Sequence, residues 1–351
     1  MEILEKLEAG VRDSALTRKD VWRDLDAPRL VHLPQRVAPP GAIVEWLDLP
    51  GGARLRVARW VPEHARGTVL ICTGRGEFIE KYFEVAGDLL RRRLAVVAFD
   101  WRGQGLSSRS LPNRRKGHVR SFADFDADLE AVIRRVLEPA CPAPFFAIAH
   151  SMGGTVMIRH AKSPRCAFSR IVLSAPMVEV HNLPLVPMLY HLSRLLTGVG
   201  LGSVFVPSGR RRTAVFDNGF ADNVLTGSPE RFADMMAISR AEPRLTVDAP
   251  TIGWLRAALD AMAPMAEFHY PARIAVPILM VVPGEDRVVS VAAMERFGQR
   301  LKAGTLVAIP GARHEILMER DVLRDRFWAA FDAFIPGTAR PAPARSWPGR
   351  P

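Results

Sequence analysis

A serine hydroxyl is a poor nucleophile at neutral pH. It becomes an effective one when a histidine accepts its proton and a carboxylate fixes that histidine's tautomer and stabilises the imidazolium. The chain carries residues suited to all three tasks. Ser151 lies in Phe146-Ala-Ile-Ala-His-Ser-Met-Gly-Gly154, an apolar run that ends in a serine boxed by small residues and opens into a helix-compatible segment. This is the pattern of a nucleophile elbow, a strained strand-to-helix turn whose positions two before and two after the serine must be small. Here they are Ala149 and Gly153, so the box reads Ala-x-Ser-x-Gly, one methyl larger than the commoner glycine form. Downstream, Pro283-Gly-Glu-Asp-Arg-Val-Val289 and Pro310-Gly-Ala-Arg-His-Glu315 each follow a strand-like apolar run, which puts Asp286 and His314 in loops at strand ends. Glu285 is the rival acid, and the residues following Asp286 favour Asp286. Of the nine histidines, His150 is expected to point away from the serine on the turn, and His118, His181 and His191 are candidates for pocket walls. His314 alone closes the ordered series Ser, Asp, His.

An attacked carbonyl needs two preorganised amide donors for its developing oxyanion, usually the amide after the nucleophile and one from the loop after an early strand. Met152 is the candidate for the first. For the second, the glycine-rich run Cys72-Thr-Gly-Arg-Gly-Glu77 offers the Arg75 N–H. His314-Glu315 does not begin a zinc-protease His-Glu-x-x-His helix, because the fifth position is Met318. No metal and no cofactor are expected.

The elements that must position these groups alternate. Ile43–Leu49 and Ala53–Trp60 around Gly51-Gly52 read as an antiparallel hairpin. Strand-like Thr68–Thr73, Leu94–Asp100, Phe145–His150 and Arg170–Ser174 are then interleaved with helix-like Glu77–Arg93, Ser121–Leu137 and Met152–Ala161. After a break the alternation resumes with Pro277–Val282, Val289–Leu301, Thr305–Ile309 and Asp321–Phe334. Such alternation predicts an α/β fold, a mostly parallel sheet with helices on both faces. Residues 176–264 break the rhythm. They are rich in Leu, Met, Phe, Pro and Arg, with helix-like Pro229–Ala241 and Thr251–Met262, and are expected to be a helical cap inserted over the C-terminal edge of the sheet, where open α/β sheets bind ligands. The expected organisation is an N-terminal extension (1–40), a core (41–175 and 265–335), the cap (176–264) and a disordered Pro/Arg/Gly/Ala-rich tail (336–351).

A formal net charge of +11 suits an anionic membrane surface or an acidic substrate, and the basic clusters are short: Arg91–Arg93, Arg114–Lys116, Arg210–Arg212. With no zinc-finger, basic-zipper or aromatic RNA-binding signature beside them, nucleic acid is not an expected partner. Three dispersed cysteines, Cys72, Cys141 and Cys166, fit neither a disulfide framework nor a zinc site. The acidic N-terminal run Met1-Glu-Ile-Leu-Glu-Lys-Leu-Glu8 lacks a signal peptide's basic and apolar regions, and the expected location is the cytoplasm, with peripheral attachment to its membrane face allowed.

Together these pieces resemble the α/β-hydrolase superfamily, and within it the bacterial lysophospholipase L2 and monoacylglycerol lipase group, which is classified beside serine aminopeptidases. The resemblance spans roughly residues 40 to 335. It is carried by Gly74-Arg-Gly-Glu-Phe-Ile-Glu-Lys-Tyr82, Phe99-Asp-Trp-Arg-Gly-Gln-Gly-Leu-Ser107, Ala149-His-Ser-Met-Gly-Gly154, Gly284-Glu-Asp286 and His314-Glu-Ile-Leu317. Thr73 and Gln104 replace histidines of the wider lipase pattern without removing a catalytic group. The resemblance implies an eight-stranded-type sheet and a serine ester hydrolase acting on a lipid or other small ester through an acyl-enzyme. The alternatives are a serine aminopeptidase or amidase on the same triad and a non-catalytic lipid-binding relative; acyl transfer to an acceptor other than water also stays open. The apolar stretch Leu183–Val206 is a candidate acyl tunnel or bilayer contact, and Arg210–Arg212 would suit a phosphodiester headgroup.

Overall fold

A computed structural model describes residues 27–207 and 219–338. Eight strands form one sheet: β1 (Ile43–Asp48), β2 (Arg54–Trp60), β3 (Thr68–Cys72), β4 (Ala95–Phe99), β5 (Phe145–His150), β6 (Arg170–Ser174), β7 (Ile278–Pro283) and β8 (Gly304–Ile309). Their spatial order is β1-β2-β4-β3-β5-β6-β7-β8. The predicted hairpin pairs β1 with β2 antiparallel, β2 is antiparallel to β4, and every later pairing is parallel.

The central strands are apolar through their middles because both faces are covered, and their alternate side chains go to different cores. On β5, Ala147 and Ala149 join Leu70, Leu173 and Met280 in one core, against α2 (Phe122–Val132) and α3 (Met152–Ala161). Phe146 and Ile148 join Ile71, Val172 and Val281 in the other, against α1 (Phe83–Arg91) and the C-terminal helix Asp321–Phe334. Ser121 caps α2, its hydroxyl accepting from the Ala123 N–H.

The expected helix over Glu77–Arg93 is shorter than its sequence suggests. A 3-10 turn at Ile79–Tyr82 precedes α1. The reason is local competition for the first turn's donors: the buried Asp100 carboxylate takes the Ile79 N–H, and Glu77 folds back onto the Gly74 N–H. Asp100 and Glu80 both pair with the fully buried Arg56, at 2.7 and 2.6 Å. This ion cluster fixes the chain just behind the loop that bears Arg75.

Between β6 and β7 the described residues form no strand and contain α4 (Val186–Gly198), α5 (Pro229–Ala241) and α6 (Ile252–Met262). The helices α7 (Val291–Gly298) and α8 (Asp321–Phe334) complete the alternation. Residues of the expected extension are held to the core: the Arg36 guanidinium donates to the Glu80 and Lys81 carbonyls, and the Trp60 indole donates to Pro39 O. At the other end, Gly337 O accepts from Arg66 and the Thr338 hydroxyl donates to Ile335 O, so the expected tail does not begin as free chain at 336; residues 339–351 lie outside the described residues. The cysteines are unpaired. No helix of the described residues is long and apolar enough to cross a membrane.

Candidate active site

Ser151 follows β5 directly and is the N-cap of α3, with φ 51° and ψ −117°, a conformation rare for any residue with a side chain. Its surroundings over-determine it. The Ser151 N–H donates to Ser174 O at 3.2 Å, at the end of β6, and its carbonyl accepts from Met177 N at 3.0 Å, three residues past that strand. A Cβ at Gly153 would lie 2.4 Å from the Cys72 carbonyl oxygen and 2.6 Å from that of Thr73. Glycine at this position therefore lets the first turn of α3 press against the loop after β3, which is why the small-residue box is needed.

The three expected groups meet. His314 Nε2 is 3.0 Å from Ser151 Oγ, and His314 Nδ1 is 2.7 Å from Asp286 Oδ2. Asp286 Oδ1 accepts the Val288 and Val289 N–H groups at 2.7 and 2.9 Å, so the carboxylate is locked in one orientation. Burial would raise the Asp286 carboxyl, but the His314 contact and the two amides outweigh it and hold the pKa below the ordinary value. The rival Glu285 is exposed, on the wall of a separate polar pocket with Arg287 and Arg313.

Met152 N and Arg75 N carry no hydrogen bond to other described residues, and the close approach of α3 to Cys72 and Thr73 brings their loops together. The loop bearing Arg75 is tied down at three points. The Trp101 indole donates to Thr73 O at 2.8 Å, Gln104 accepts the Gly76 N–H, and Glu77 accepts the Gly74 N–H. Gln104, one of the two departures from the wider pattern, is thus a structural anchor of the loop.

Behind His314 lies a set of buried charged residues that motif reading did not assign. Lys81 Nζ bridges Glu77 at 2.6 Å and Glu315 at 2.5 Å, and the Tyr82 hydroxyl donates to Glu77 at 2.6 Å. One ammonium therefore ties the loop that bears Arg75, through Glu77, to the residue next to His314. Burial opposes the charge on Lys81, but Glu315 and Glu77 outweigh it and raise the ammonium's pKa. Burial also opposes the Glu77 carboxylate, but Lys81, His150 and the donated hydrogen bonds hold its pKa well down. Glu315 goes the other way: burial, with the Glu77 charge beside it, keeps it above the ordinary carboxylate value.

His150 makes no hydrogen bond to Ser151, as expected, yet it is not idle. Its ring packs 4.7 Å from that of His314, and its Nδ1–H donates to Ser174 O at 3.1 Å. Burial, reinforced by His314 and Lys81, drives its pKa down to about 4, so it is neutral at pH 7. The visible signal in the sequence was the run Glu77-Phe-Ile-Glu-Lys-Tyr82, whose i,i+4 Glu77 and Lys81 read equally well as a solvated helix pair.

Beside Asp286 opens a cavity of about 960 Å³, lined by Val178, Leu183, Val186, Tyr190, Leu259 and Met262 among others, with more apolar than polar wall. Expected pocket residues His181 and His191 line it; His118 instead bonds the Thr251 hydroxyl at 2.8 Å. The cluster Arg210–Arg212 lies outside the described residues. Among the described residues no group of His, Cys, Asp or Glu is arranged to hold a metal.

Known proteins resemble this chain in sequence and in fold. Residues 63–321 match the family described as serine aminopeptidase, S33. Lysophospholipase L2 of Escherichia coli (strain K12) is 31% identical over 291 residues, covering 79% of this chain and 81% of that protein. A monoacylglycerol lipase of Mycolicibacterium smegmatis is 25% identical, covering 77% and 89%. In fold, the chain is similar to a soluble variant of monoglyceride lipase from Saccharomyces cerevisiae solved with a substrate analog (TM-score 0.68, 19% identity, covering 85% and 97%). A thermostable carboxyl esterase from Bacillus coagulans is similar to the same degree (TM-score 0.68, 19% identity, covering 86% and 99%). The chain belongs to the serine aminopeptidase S33 family and is a hydrolase of the α/β-hydrolase fold.

Proposed function

We propose that the protein hydrolyses long-chain carboxylic esters of glycerol, as a lysophospholipase or monoacylglycerol lipase, through an acyl-enzyme on Ser151. The observation that carries the reading is the hydrogen-bonded series Asp286–His314–Ser151 beside a large apolar cavity. Ser151 Oγ attacks the ester carbonyl while His314 Nε2 takes its proton. Asp286 holds Nδ1–H and stabilises the imidazolium. The oxyanion of the tetrahedral intermediate accepts the Arg75 and Met152 N–H groups. As the intermediate collapses, the C–O bond to the glycerol oxygen breaks and His314 protonates that oxygen. Water, deprotonated by His314, then attacks the acyl-Ser151 carbonyl and releases the fatty acid. The cavity walls from α4 and α6 take the acyl chain.

The outer side of α4 supports contact with a membrane. Leu185, Met188, Leu192, Leu195 and Val199 recur at helical spacing and are 46–65% exposed, an apolar stripe next to the acyl cavity on a protein of formal net charge +11. A substrate monomer lifted from a bilayer would enter there.

The test is an activity panel of a lysophospholipid, a monoacylglycerol and an aminoacyl anilide, with Ser151→Ala as control and a fluorophosphonate probe for the nucleophile. Ester turnover with Ser151-dependent labelling is expected. Turnover of the anilide alone would replace the reading by a peptidase, and labelling that survives Ser151→Ala would sink it.

A further inference from the structure

Arg75 gives its main-chain N–H to the proposed oxyanion hole, but its guanidinium has no role in that chemistry. The side chain reaches the β6–β7 insertion, where Nη2 donates to the Asp248 carbonyl at 2.6 Å and the guanidinium lies 5.0 Å from the centre of the Trp254 ring. The Asp248 carboxylate does not serve it, being gripped by Arg115 through Nε at 2.7 Å and through Nη2. Arg75 Nε is buried with no partner, and no partner is found for Nη1 among the described residues. Desolvation lowers the Arg75 pKa to about 10, with only the Asp248 charge opposing it. A guanidinium with one hydrogen bond and no carboxylate of its own keeps donor capacity for an anion.

Strand order says which part of a substrate would meet it. Ser151 follows β5 directly. Arg75 follows β3, the neighbour on one side, whereas the acyl cavity is built from residues after β6 and β7 on the other. With strands about 5 Å apart, these two features flank Ser151. An ester held with its carbonyl at Ser151 and its acyl chain toward β6 and β7 directs its alcohol portion toward β3.

We propose that the Arg75 side chain, backed by Trp254 and Asp248 O, is the anion site for the phosphodiester of a monoacyl glycerophospholipid, and selects that substrate over neutral monoacylglycerol. This rests on the ester-hydrolase reading and adds the group that reads the leaving alcohol. A guanidinium can give two parallel N–H bonds to a phosphodiester, and charge-assisted bonds of this kind are worth enough to change selectivity about tenfold or more.

The experiment compares kcat/KM for an oleoyl lysophosphatidylethanolamine and for monoolein, in the same detergent, in the wild type, Arg75→Gln and Arg75→Lys. Arg75→Gln is expected to lower the lysophospholipid-to-monoolein ratio about tenfold or more, with Arg75→Lys between the two. In the wild type, sn-glycero-3-phosphoethanolamine is expected to slow fluorophosphonate labelling of Ser151 at concentrations where glycerol does not. A ratio that moves by less than about threefold overturns the proposal. If Arg75→Gln does not fold, the wild-type protection decides: a phosphodiester no better than glycerol overturns it. If the wild type labels at Ser151 and is protected, yet hydrolyses neither ester, the anion site stands and the ester-hydrolase reading fails.

Discussion

Replacing Lys81 by methionine removes the ammonium that bridges the oxyanion loop to the histidine loop while keeping most of the side-chain volume. The two carboxylates do not suffer equally. Glu77 retains the Tyr82 hydroxyl and the Gly74 N–H, whereas Lys81 is the sole described partner of the Glu315 carboxylate. Glu315 is 8% exposed, so the variant leaves a nearly dry, unpaired charge. Breaking a buried pair from one side costs about 3–5 kcal/mol, which at about 2 °C per kcal/mol for a domain of this size lowers Tm by roughly 6–10 °C. The loss must depend on pH. The folded pKa of Glu315 is already raised and rises further without Lys81, so the neutral acid is tolerated at low pH and the deficit grows as pH climbs through that folded value. Urea unfolding of the wild type and Lys81→Met at pH 5 and pH 8 measures this. Lys81→Met/Glu315→Met should recover most of the loss, because replacing a whole buried pair by apolar groups is close to neutral. A deficit under about 1 kcal/mol at pH 8, or one equal at both pH values, or no recovery in the double variant, would refute the clamp.

Asp286→Asn should lower kcat about 10⁴-fold with little change in KM, since the amide cannot hold the required His314 tautomer; steady-state rates on a short-chain ester check this, and a loss under tenfold would remove Asp286 from its role. Gly153→Ala places a methyl 2.4 Å from the Cys72 carbonyl oxygen and must push the oxyanion loop away, so kcat should fall about 100-fold while circular dichroism stays native. His150 is depressed from 6.5 to about 4, so the unfolded chain takes up its proton before the native one does. Its contribution is complete above pH 6.5 and is lost as pH falls toward 4, by about 3 kcal/mol, and stability curves of the wild type and His150→Phe should converge or cross over that interval rather than run parallel. Leu195→Asp, on the exposed stripe of α4, should reduce cosedimentation with anionic vesicles, the rate on a water-soluble short-chain ester serving as reference; undiminished vesicle binding would exclude that stripe as the contact.

What the sequence made legible is what local pattern encodes. The central strands read as continuous apolar runs because both faces are covered, and the two cores divide each strand residue by residue. Ser151, Asp286 and His314 stand out because each is one residue in a loop at a strand end; chain order ranks Ser151 and His314, and the residues after Asp286 rank it over Glu285. The clamp behind them could not be read this way. Glu77 and Lys81 at i,i+4 look like any exposed helix pair until β8 delivers Glu315 to the same ammonium, and no local signal announces that meeting. The same limit explains the shortened first helix: its apolar spacing is helical, but Asp100, from the end of the next strand, takes the Ile79 N–H. Arg75 was visible as a glycine-flanked loop residue with a useful amide. Only the fold shows its guanidinium against Trp254, which comes from the insertion.

The loop from Thr73 to Glu77 therefore holds three devices in five residues: an amide for the oxyanion, a carboxylate that ties the loop to the histidine, and a guanidinium placed toward the leaving alcohol. Since Glu77 anchors the Gly74 N–H next to Arg75, any shift of this loop moves the amide and the guanidinium together. On the roles proposed for Arg75, rate and headgroup selectivity are coupled for a geometric reason. The acyl cavity is not part of that coupling, because Leu259 and Met262 stand at the C-terminal end of α6 and line it with residues that follow β6 and β7. Trp254, which backs Arg75, stands in the first turn of that helix and does not line the cavity. Widening the cavity with Leu259→Ala should shift the preferred chain length, read from kcat/KM across acyl lengths, without altering the lysophospholipid-to-monoacylglycerol ratio at fixed length. A change in both together would mean that the two sides of Ser151 are not separate, and the strand-order argument for Arg75 would lose its footing.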